Sequence, residues 1–580
     1  MPLVRRLRLP AVLCALAVLI CELIARPYAN MGICDDGPYI LVAQKLAATG
    51  HVAYNGWSAA MLLWQLYVGA AFVKLLGFSF TTVRMSTLLV AVLMAFFLQR
   101  TLVLADITER NATLGTLALV LSPLYLLLSV TFMSDIHGLF GIVLCLYGCL
   151  RALRAPSANS SVGWLCFAVA ASAIIGTSRQ LTWLGVLVMV PCTLWLLRSQ
   201  RRVLLGGVAA NLAGFVSVFA CMLWLKRQPY TTPEQFGIGA FNVSYTLRQF
   251  TLFFLDIPFL LLPVGAVFLP QIFKSRRRVL AAALLVLAIF LAVYPSHLRG
   301  RFEPLLEPTF HDWVTDRGGF DGMVLKGTAP SFLDRGARGF LALASLGGLI
   351  GLIASSFNAQ GPRQDPSAPA ERLSWKSLGI LLGPFALAYT LLLVYRALTI
   401  AGAGTPEVID RYALGLLVVA LIAATRYYQD GIDPRLPRAA AVLVAITAMY
   451  GVAVTHNTFA LYRARVSLMT ELRAAGVPDT SVDNGWDYNL DVELQHASHI
   501  NNDEIVLPAD AYVPMTDPPA GTCEMFWYRY TPHIDARYGV SFDPNACYGP
   551  APFAPVHYNR WLASKPGTLY VVNYRVSSKQ

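Results

Sequence analysis

The chain is predicted to be an all-α polytopic membrane protein with about thirteen transmembrane helices and a small C-terminal α/β domain outside the bilayer. Three observations lead there: a deficit of charge, a succession of apolar runs of spanning length, and basic residues gathered in the short connections on one side. Of 580 residues, 56% are hydrophobic and 13% charged, against about 25% charged in a soluble protein. The net charge of +12 lies in short Lys and Arg clusters between apolar runs. That is the pattern of a multi-pass protein with basic inner loops, so no nucleic acid is needed as a partner.

A bilayer-crossing helix takes about 20 apolar residues. Runs of that kind lie near 9–25, 83–104, 112–132, 138–153, 163–177, 181–197, 204–225, 247–273, 279–294, 340–353, 378–394, 412–425 and 439–454. The first follows Arg5, Arg6 and Arg8. It reads as a retained anchor rather than a signal peptide, because no small-x-small cleavage site follows and Arg26-Pro27 interrupts the region.

With the N-terminus inside, the cytoplasmic connections hold Arg110; Arg151 and Arg154; Arg198, Arg201 and Arg202; Lys274 and Arg276 to Arg278; Arg363, Arg372 and Lys376; and Arg435 and Arg438. Each is short and basic, as the orientation rule requires. The connections 26–82, 226–246 and 295–339 then fall outside. Residues 59–80 are also apolar enough to cross, but a span there would invert every later loop and put Lys274 to Arg278 outside. They are therefore expected to form a helix lying in the outer interface, with Trp64, Tyr67 and Lys74 at headgroup level. Ala359 to Ala370, rich in Pro, Gln and Ser, reads as an inner linker.

No span follows residue 455, which divides the chain into a membrane domain (1–455) and an extracytoplasmic domain (456–580). The latter starts as a helix over Leu461 to Ala475, closed by Gly476-Val477-Pro478, and continues in strand-like pieces such as Thr568 to Tyr574. Of ten cysteines, eight lie in or beside apolar stretches, whereas Cys523 and Cys547 sit in the polar tail. A disulfide between these two fits an oxidising compartment. No CxxC pair or Cys/His array points to zinc.

Ionisable residues at the outer ends of the spans are the candidate chemistry. Immediately after the first span comes Met31-Gly-Ile-Cys-Asp35-Asp36-Gly-Pro-Tyr39. Asp36 could cap a helix that has Pro38 in its first turn and ends at Gly50; this leaves Asp35 unexplained. Alternatively Asp35 is a general base and Asp36 shapes its surroundings. The next outer turn is Thr131-Phe-Met-Ser-Asp135-Ile-His137-Gly138. An Asp wedged between two spans must face water, a partner or a site, unless it simply caps the following helix, a task open to Ser134 as well. His137 alone suits an interfacial histidine better than a ligand.

The third turn, Gly176-Thr-Ser-Arg179-Gln180, adds a cation. Further outer basic groups are Arg84, Lys226, Arg227, Arg248, Arg299, Arg301, Arg396 and Arg411, and headgroup anchoring explains most of them. Arg179 and Arg411 abut polar turns, and Arg binds phosphate bidentately without losing charge. Asp410 beside Arg411 could simply pair with it. Arg84, Arg179 and Arg411 are the candidate phosphate contacts, and Tyr39, His137, Gln180 and Tyr412 the candidate substrate contacts. Asp256, in Phe254-Leu-Asp-Ile-Pro258, could pair with an outer Arg, cap a kink or line a cavity.

Asp35-Asp36 after the first span, Phe132-Met-Ser-Asp135 after the third, Thr177-Ser-Arg179 after the fifth and Asp410-Arg411-Tyr412 opening the twelfth resemble the GT-C glycosyltransferases. The likeness is to the family-39-like branch, which includes protein O-mannosyltransferases and lipid A aminoarabinose transferases, and it covers most of the membrane region. The tail, from Ala474-Ala-Gly-Val-Pro478 to Asp483-Asn-Gly-Trp-Asp-Tyr-Asn489, looks like the outer domain of bacterial members. The resemblance implies inverting transfer from a polyprenyl-phosphate-linked sugar to a lipid, glycan or protein acceptor at a bacterial inner membrane. Asp35 is then the base, Asp135 a second carboxylate orienting acceptor or base, and Arg179 a phosphate contact. The family often has Asp-Glu where this chain has Asp35-Asp36, which leaves the role of Asp36 open. The resemblance fixes no cofactor, and the carboxylates could hold a divalent metal or none.

A transporter or flippase of lipid-linked saccharides is the main rival. It calls for polar groups through the membrane depth and often for internal repeats, whereas here the polar groups gather at the outer rim and no repeat is visible. A non-catalytic scaffold would not need carboxylates and arginines converging from separate loops.

Overall fold

A computed structural model describes residues 8–232, 257–274, 276–293, 314–315, 318–319, 325–357, 372–399, 408–515, 521–563 and 565–575. The architecture is a helical membrane bundle with a small sheet-bearing domain at its C-terminal end. The run expected over 247–273 lies partly, and Asp256 wholly, outside the described residues.

The N-terminal half contains α1 (Leu9–Ala25), α2 (Asp36–Thr49), α3 (Leu63–Leu76), α4 (Phe80–Leu104), α5 (Glu109–Val120), α6 (Pro123–Ser129), α7 (Ser134–Leu153), α8 (Ala158–Ile175), α9 (Val190–Leu196) and α10 (Arg201–Leu225). Then come α11 (Leu262–Gly265), α12 (Arg276–Val293), α13 (Arg335–Ser356), α14 (Trp375–Thr399), α15 (Leu414–Gly431), α16 (Arg438–Ala474) and α17 (Trp486–Ala497). Among the described residues, eight helices are long and apolar enough to cross a membrane, or nine if a bent pair counts as one span. The chain is thus a multi-pass membrane protein. The larger expected number includes α1, the Gln180–Leu196 segment and Leu262–Lys274, which are apolar but short, and α12, whose 18 residues include three arginines.

Proline accounts for two departures from the predicted spans. The run over 112–132 is two helices, α5 and α6, bent by 68°. Pro123 opens the second, and the Ser122 hydroxyl caps it by accepting from Tyr125 N. The run over 181–197 passes through a 3₁₀ turn and a π segment (Gly185–Met189) before Pro191 enters α9. A proline ring cannot sit against the preceding turn of a regular helix, so the ladder widens ahead of it.

Residues 59–80 do not make a full span. Helix α3 has 14 residues, a rise of about 21 Å against a hydrocarbon core of about 30 Å. It packs between α2 and α4.

The divide placed at residue 455 falls inside α16, which runs unbroken for 37 residues. Thr455, His456 and Asn457 are polar but buried and do not break the helix, so the compositional step marks no structural joint. Gly476, in the left-handed region at φ 80°, ends this element. Helix and domain are welded by Arg465, buried in α16, which forks onto Asp487 of α17 (Nη2–Oδ1 2.6 Å, Nη1–Oδ2 3.1 Å). The Tyr462 hydroxyl donates to the same carboxylate at 2.6 Å.

The sheet beyond has β3 (Val482–Asp483), β4 (Tyr538–Ser541), β5 (Val556–Tyr558) and β6 (Gly567–Asn573) in the order β3-β4-β6-β5, counting a two-residue hairpin at Val314–Thr315 and Gly318–Gly319 as β1 and β2. Strand β3 runs parallel to β4; the other two pairings are antiparallel. Cys523 and Cys547 are disulfide-bonded, with Cα atoms 5.7 Å apart.

Candidate active site

Helix α7 is the spine of the site. It is the most enclosed of the spanning helices and packs closely on α8, where a Cβ at Gly148 would lie 2.9 Å from the Ala168 side chain. Its first turn carries Asp135. No side-chain cap hydrogen bond forms at its N-terminus, so capping does not explain this carboxylate. Asp135 instead accepts from Arg179 Nη1 and lies 3.5 Å from Arg411 Nη1. It orients two cations.

Asp35 and Asp36, adjacent in sequence, have separate fates. Asp35 occupies the N-cap position of α2 without capping it. Its Oδ1 accepts from the Trp57 indole N–H at 3.0 Å, and its Oδ2 lies 3.6 Å from Arg411 Nη2. Asp36 is locked. Arg84 of α4 forks onto it (Nε–Oδ2 2.7 Å, Nη2–Oδ1 2.9 Å), while the amides of Ile33 and Phe132 donate to its oxygens. Arg84 spends its remaining donors on the carbonyls of Ala29 and Met31.

Exposure decides which carboxylate a substrate can reach: 20% of the Asp35 side chain is accessible, and none of Asp36 or Asp135. Arg84, expected at a phosphate, is itself buried. It and Asp36 form the frame of the loop: Arg84 is reassigned from phosphate contact to scaffold, and Asp36 from the catalytic set to the carboxylate that holds the loop around Asp35.

Arg411 stands between Asp35 and Asp135, and Asp410 accepts from the Arg411 amide at 2.6 Å rather than neutralising the guanidinium. The Tyr412 ring lies beneath three guanidiniums, those of Arg179 (4.9 Å), Arg396 (5.4 Å) and Arg411 (5.5 Å). Asp135, Arg179 and Arg411 line a narrow cleft with a cavity volume of about 10 Å³, whose other walls include Leu139, Ile142, Leu181, Leu414 and Tyr389. Its lining thus combines ionic groups with apolar side chains. Burial pushes the Asp35 carboxyl above its ordinary range against the pull of Arg411 and the Trp57 N–H, while Asp135 and Asp36 add to the push.

The other predicted contacts divide. Tyr39 is half-buried in α2, and Tyr412 is under the arginines. Gln180 reaches the Ala59 carbonyl at 3.5 Å. His137 is fully buried, with Nε2 3.3 Å from the Thr87 hydroxyl and its ring edge-on to Phe132. It is a packed histidine and no substrate contact. Among the described residues no group of three His, Cys, Asp or Glu is placed to hold a metal ion. A divalent ion bridging Asp35 and Asp135 would have to displace the Arg411 guanidinium.

Trp57, Tyr389 and Arg396 were not singled out as site residues by sequence. Trp57 belongs to a cluster with Trp486, Trp527 and Tyr530 of the C-terminal domain, at ring-centroid distances of 5.6, 5.6 and 5.9 Å. Residues more than 400 positions apart thus fix the indole that holds Asp35.

The fold and site define a class: a multi-pass helical membrane protein with an ionic cleft at one end of the bundle. No protein-family model matches the chain, and no curated protein matches it in sequence. Among solved structures, ArnT from Cupriavidus metallidurans bound to undecaprenyl phosphate is similar at TM-score 0.40 and 15% identity, over 82% of this chain and 84% of that one. The archaeal oligosaccharyltransferase AglB from Archaeoglobus fulgidus, in complex with an inhibitory peptide and a dolichol-phosphate, gives 0.41 and 13% over 90% and 63%. The arabinosyltransferase EmbB from Mycobacterium smegmatis gives 0.32 and 14% over 85% and 43%. These likenesses are distant, and the geometry of the site carries the functional conclusion.

Proposed function

We propose that this chain is an inverting glycosyltransferase of the GT-C type, moving a sugar from a polyprenyl-phosphate carrier to an acceptor hydroxyl at the outer face of a bacterial inner membrane. The observation that carries this is the sharing of Arg411 between a reachable carboxylate, Asp35, and a cation-orienting one, Asp135, beside a cleft with ionic and apolar walls.

The chemistry fits those parts. The acceptor hydroxyl must lose its proton as its oxygen attacks the anomeric carbon, and Asp35 is placed to take it. A carboxyl whose affinity for protons is raised by burial is a better base than one in water. The bond from that carbon to the carrier phosphate breaks with its electron pair on the phosphate, which therefore gains charge. No acid is required, only preorganised cations. Three guanidiniums gather around Tyr412, an arrangement that suits an anion. Protonation of Asp35 also removes its attraction for Arg411, which strengthens the pull of that guanidinium on the departing phosphate. Leu139, Ile142, Leu181 and Leu414 suit the first isoprene units of the carrier. The acceptor is a lipid, glycan or protein hydroxyl, and the C-terminal domain stands on the same side of the membrane as Asp35.

The test is incubation of the purified protein with a panel of radiolabelled undecaprenyl-phosphate sugars and candidate acceptors. Transfer of label with release of free undecaprenyl phosphate is the result expected. Movement of intact lipid-linked sugar across a bilayer without release would favour a flippase.

A further inference from the structure

We propose that Asp491 is a positioning residue of this site: through it the C-terminal domain latches the loop Met31 to Gly37, and with it Asp35, in working geometry. The proposal rests on the assignment of Asp35 as base. Asp491 lies on α17, 4% exposed. Its Oδ2 accepts from the Gly32 amide at 2.9 Å, across 459 positions of sequence. Its Oδ1 is buried with no hydrogen-bond partner.

The loop is built to admit this carboxyl. A Cβ at Gly37 would lie 2.4 Å from Oδ1, and one at Gly32 would lie 2.8 Å from Oδ2. Both contacts are far inside van der Waals distance, so only glycine at the two positions lets the side chain in. An orphaned oxygen is expensive to bury, and aspartate is a poor choice for mere filling. Its place against the backbone flanking Asp35 gives that cost a purpose.

Two carboxylates face Asp491, and each already has its own cation. Asp36 is held by Arg84 from α4, and Asp487 by Arg465 and Tyr462 from α16. Burial raises the Asp491 carboxyl to about 8; Asp487 and Asp36 push the same way, while the Gly32 amide and Arg84 oppose. An unfolded Asp ionises near 4. The sign follows: the latch is strongest below about 4 and weakens as the pH rises to about 8, where the folded carboxyl itself ionises and a third negative charge stands beside Asp36 and Asp487.

The experiment uses the full-length protein in nanodiscs. Amide exchange of the peptide covering residues 29–37 is read by mass spectrometry, beside the pH profile of transfer. Asp491→Ala is expected to speed exchange about tenfold or more and to lower kcat with the donor KM unchanged. Asp491→Asn keeps an acceptor for the Gly32 amide and cannot ionise. It should retain slow exchange and remove the decline in activity expected of the parent as the pH rises toward about 8. Parent-like exchange in Asp491→Ala, or the same decline in Asp491→Asn as in the parent, overturns the latch. Should Asp491→Ala not fold, exchange in the parent and in Asp491→Asn between about pH 5 and 8 decides alone: acceleration with pH, corrected for intrinsic chemistry, must occur in the parent only. Exchange behaving as described in a protein with no transfer activity would keep the latch and reject the transferase.

Discussion

The two ends of the helical bundle use the same residue types to opposite purpose. At the end remote from Asp35, Arg426 of α15 meets Asp430 at 3.3 Å and Asp106 at 3.9 Å, and donates to the carbonyls of Ala105 and Leu373. Arg154 pairs with Asp106 and Arg372 with Asp430, each at 2.5 Å. Arginine and aspartate there tie three chain connections together, with Arg426 only 2% accessible. At the Asp35 end, Arg411 sits 3.5 Å from Asp135 and 3.6 Å from Asp35 and lines a narrow cleft, and 20% of the Asp35 side chain is accessible. A network closed by backbone carbonyls holds structure; ion pairs that border a cleft and include a reachable carboxylate can meet a ligand. Asp36 and Arg84 show that a closed pair can also stand one residue from an open one.

Four substitutions would break or sharpen that contrast. Asp35→Asn should cost about 10²–10⁴-fold in kcat with normal expression and membrane insertion; a variant within threefold of the parent would remove the base assignment. For Arg179→Ala the expected loss is about 10²–10³-fold, with weaker donor binding by titration. Unchanged donor affinity would reassign Arg179 to packing. Arg426→Ala, at the closed end, should instead destabilise the fold by about 3–5 kcal/mol, seen as a lower thermal midpoint in detergent, while the molecules that stay folded keep the parent kcat. Activity lost without a change in stability would contradict the division between the two ends. The smallest effect belongs to Trp57→Phe. Removing the indole N–H takes away a group that favours ionised Asp35, so its pKa rises further and the acid limb of the rate profile moves to higher pH. A limb that stays in place would show that the hydrogen bond does not tune the base.

The parts of the site legible in sequence share one physical reason. Asp35, Asp135, Arg179 and Arg411 are ionisable groups at the ends of apolar runs, where their cost demands a purpose, and the structure brings all four together. Local capping, the alternative from sequence for Asp36 and Asp135, fails: Asp36 is the first residue of α2 and accepts from the Ile33 and Phe132 amides, and Asp135 makes no cap hydrogen bond. Arg84 looked equivalent to Arg179 because sequence does not say which face of a helix points inward; α4 turns it into the bundle, onto Asp36. Trp57 and Asp491 left no local signal at all. Their roles arise from contacts across hundreds of residues. The fold was legible wherever apolar runs were regular, and misread where Pro123 and Pro191 break a run that hydropathy alone sees as continuous.

One structure would test the central assignment most directly: electron cryo-microscopy of the protein in nanodiscs with undecaprenyl phosphate. The phosphate should lie within hydrogen-bonding reach, about 3 Å, of Arg411 or Arg179, with its first isoprene units against Leu139 and Ile142 and with an unesterified oxygen, the kind that carries the sugar in the donor, directed toward the side of the site where Asp35 stands. A phosphate bound at the Arg426 end, or anywhere that leaves Asp35 out of reach, would contradict it.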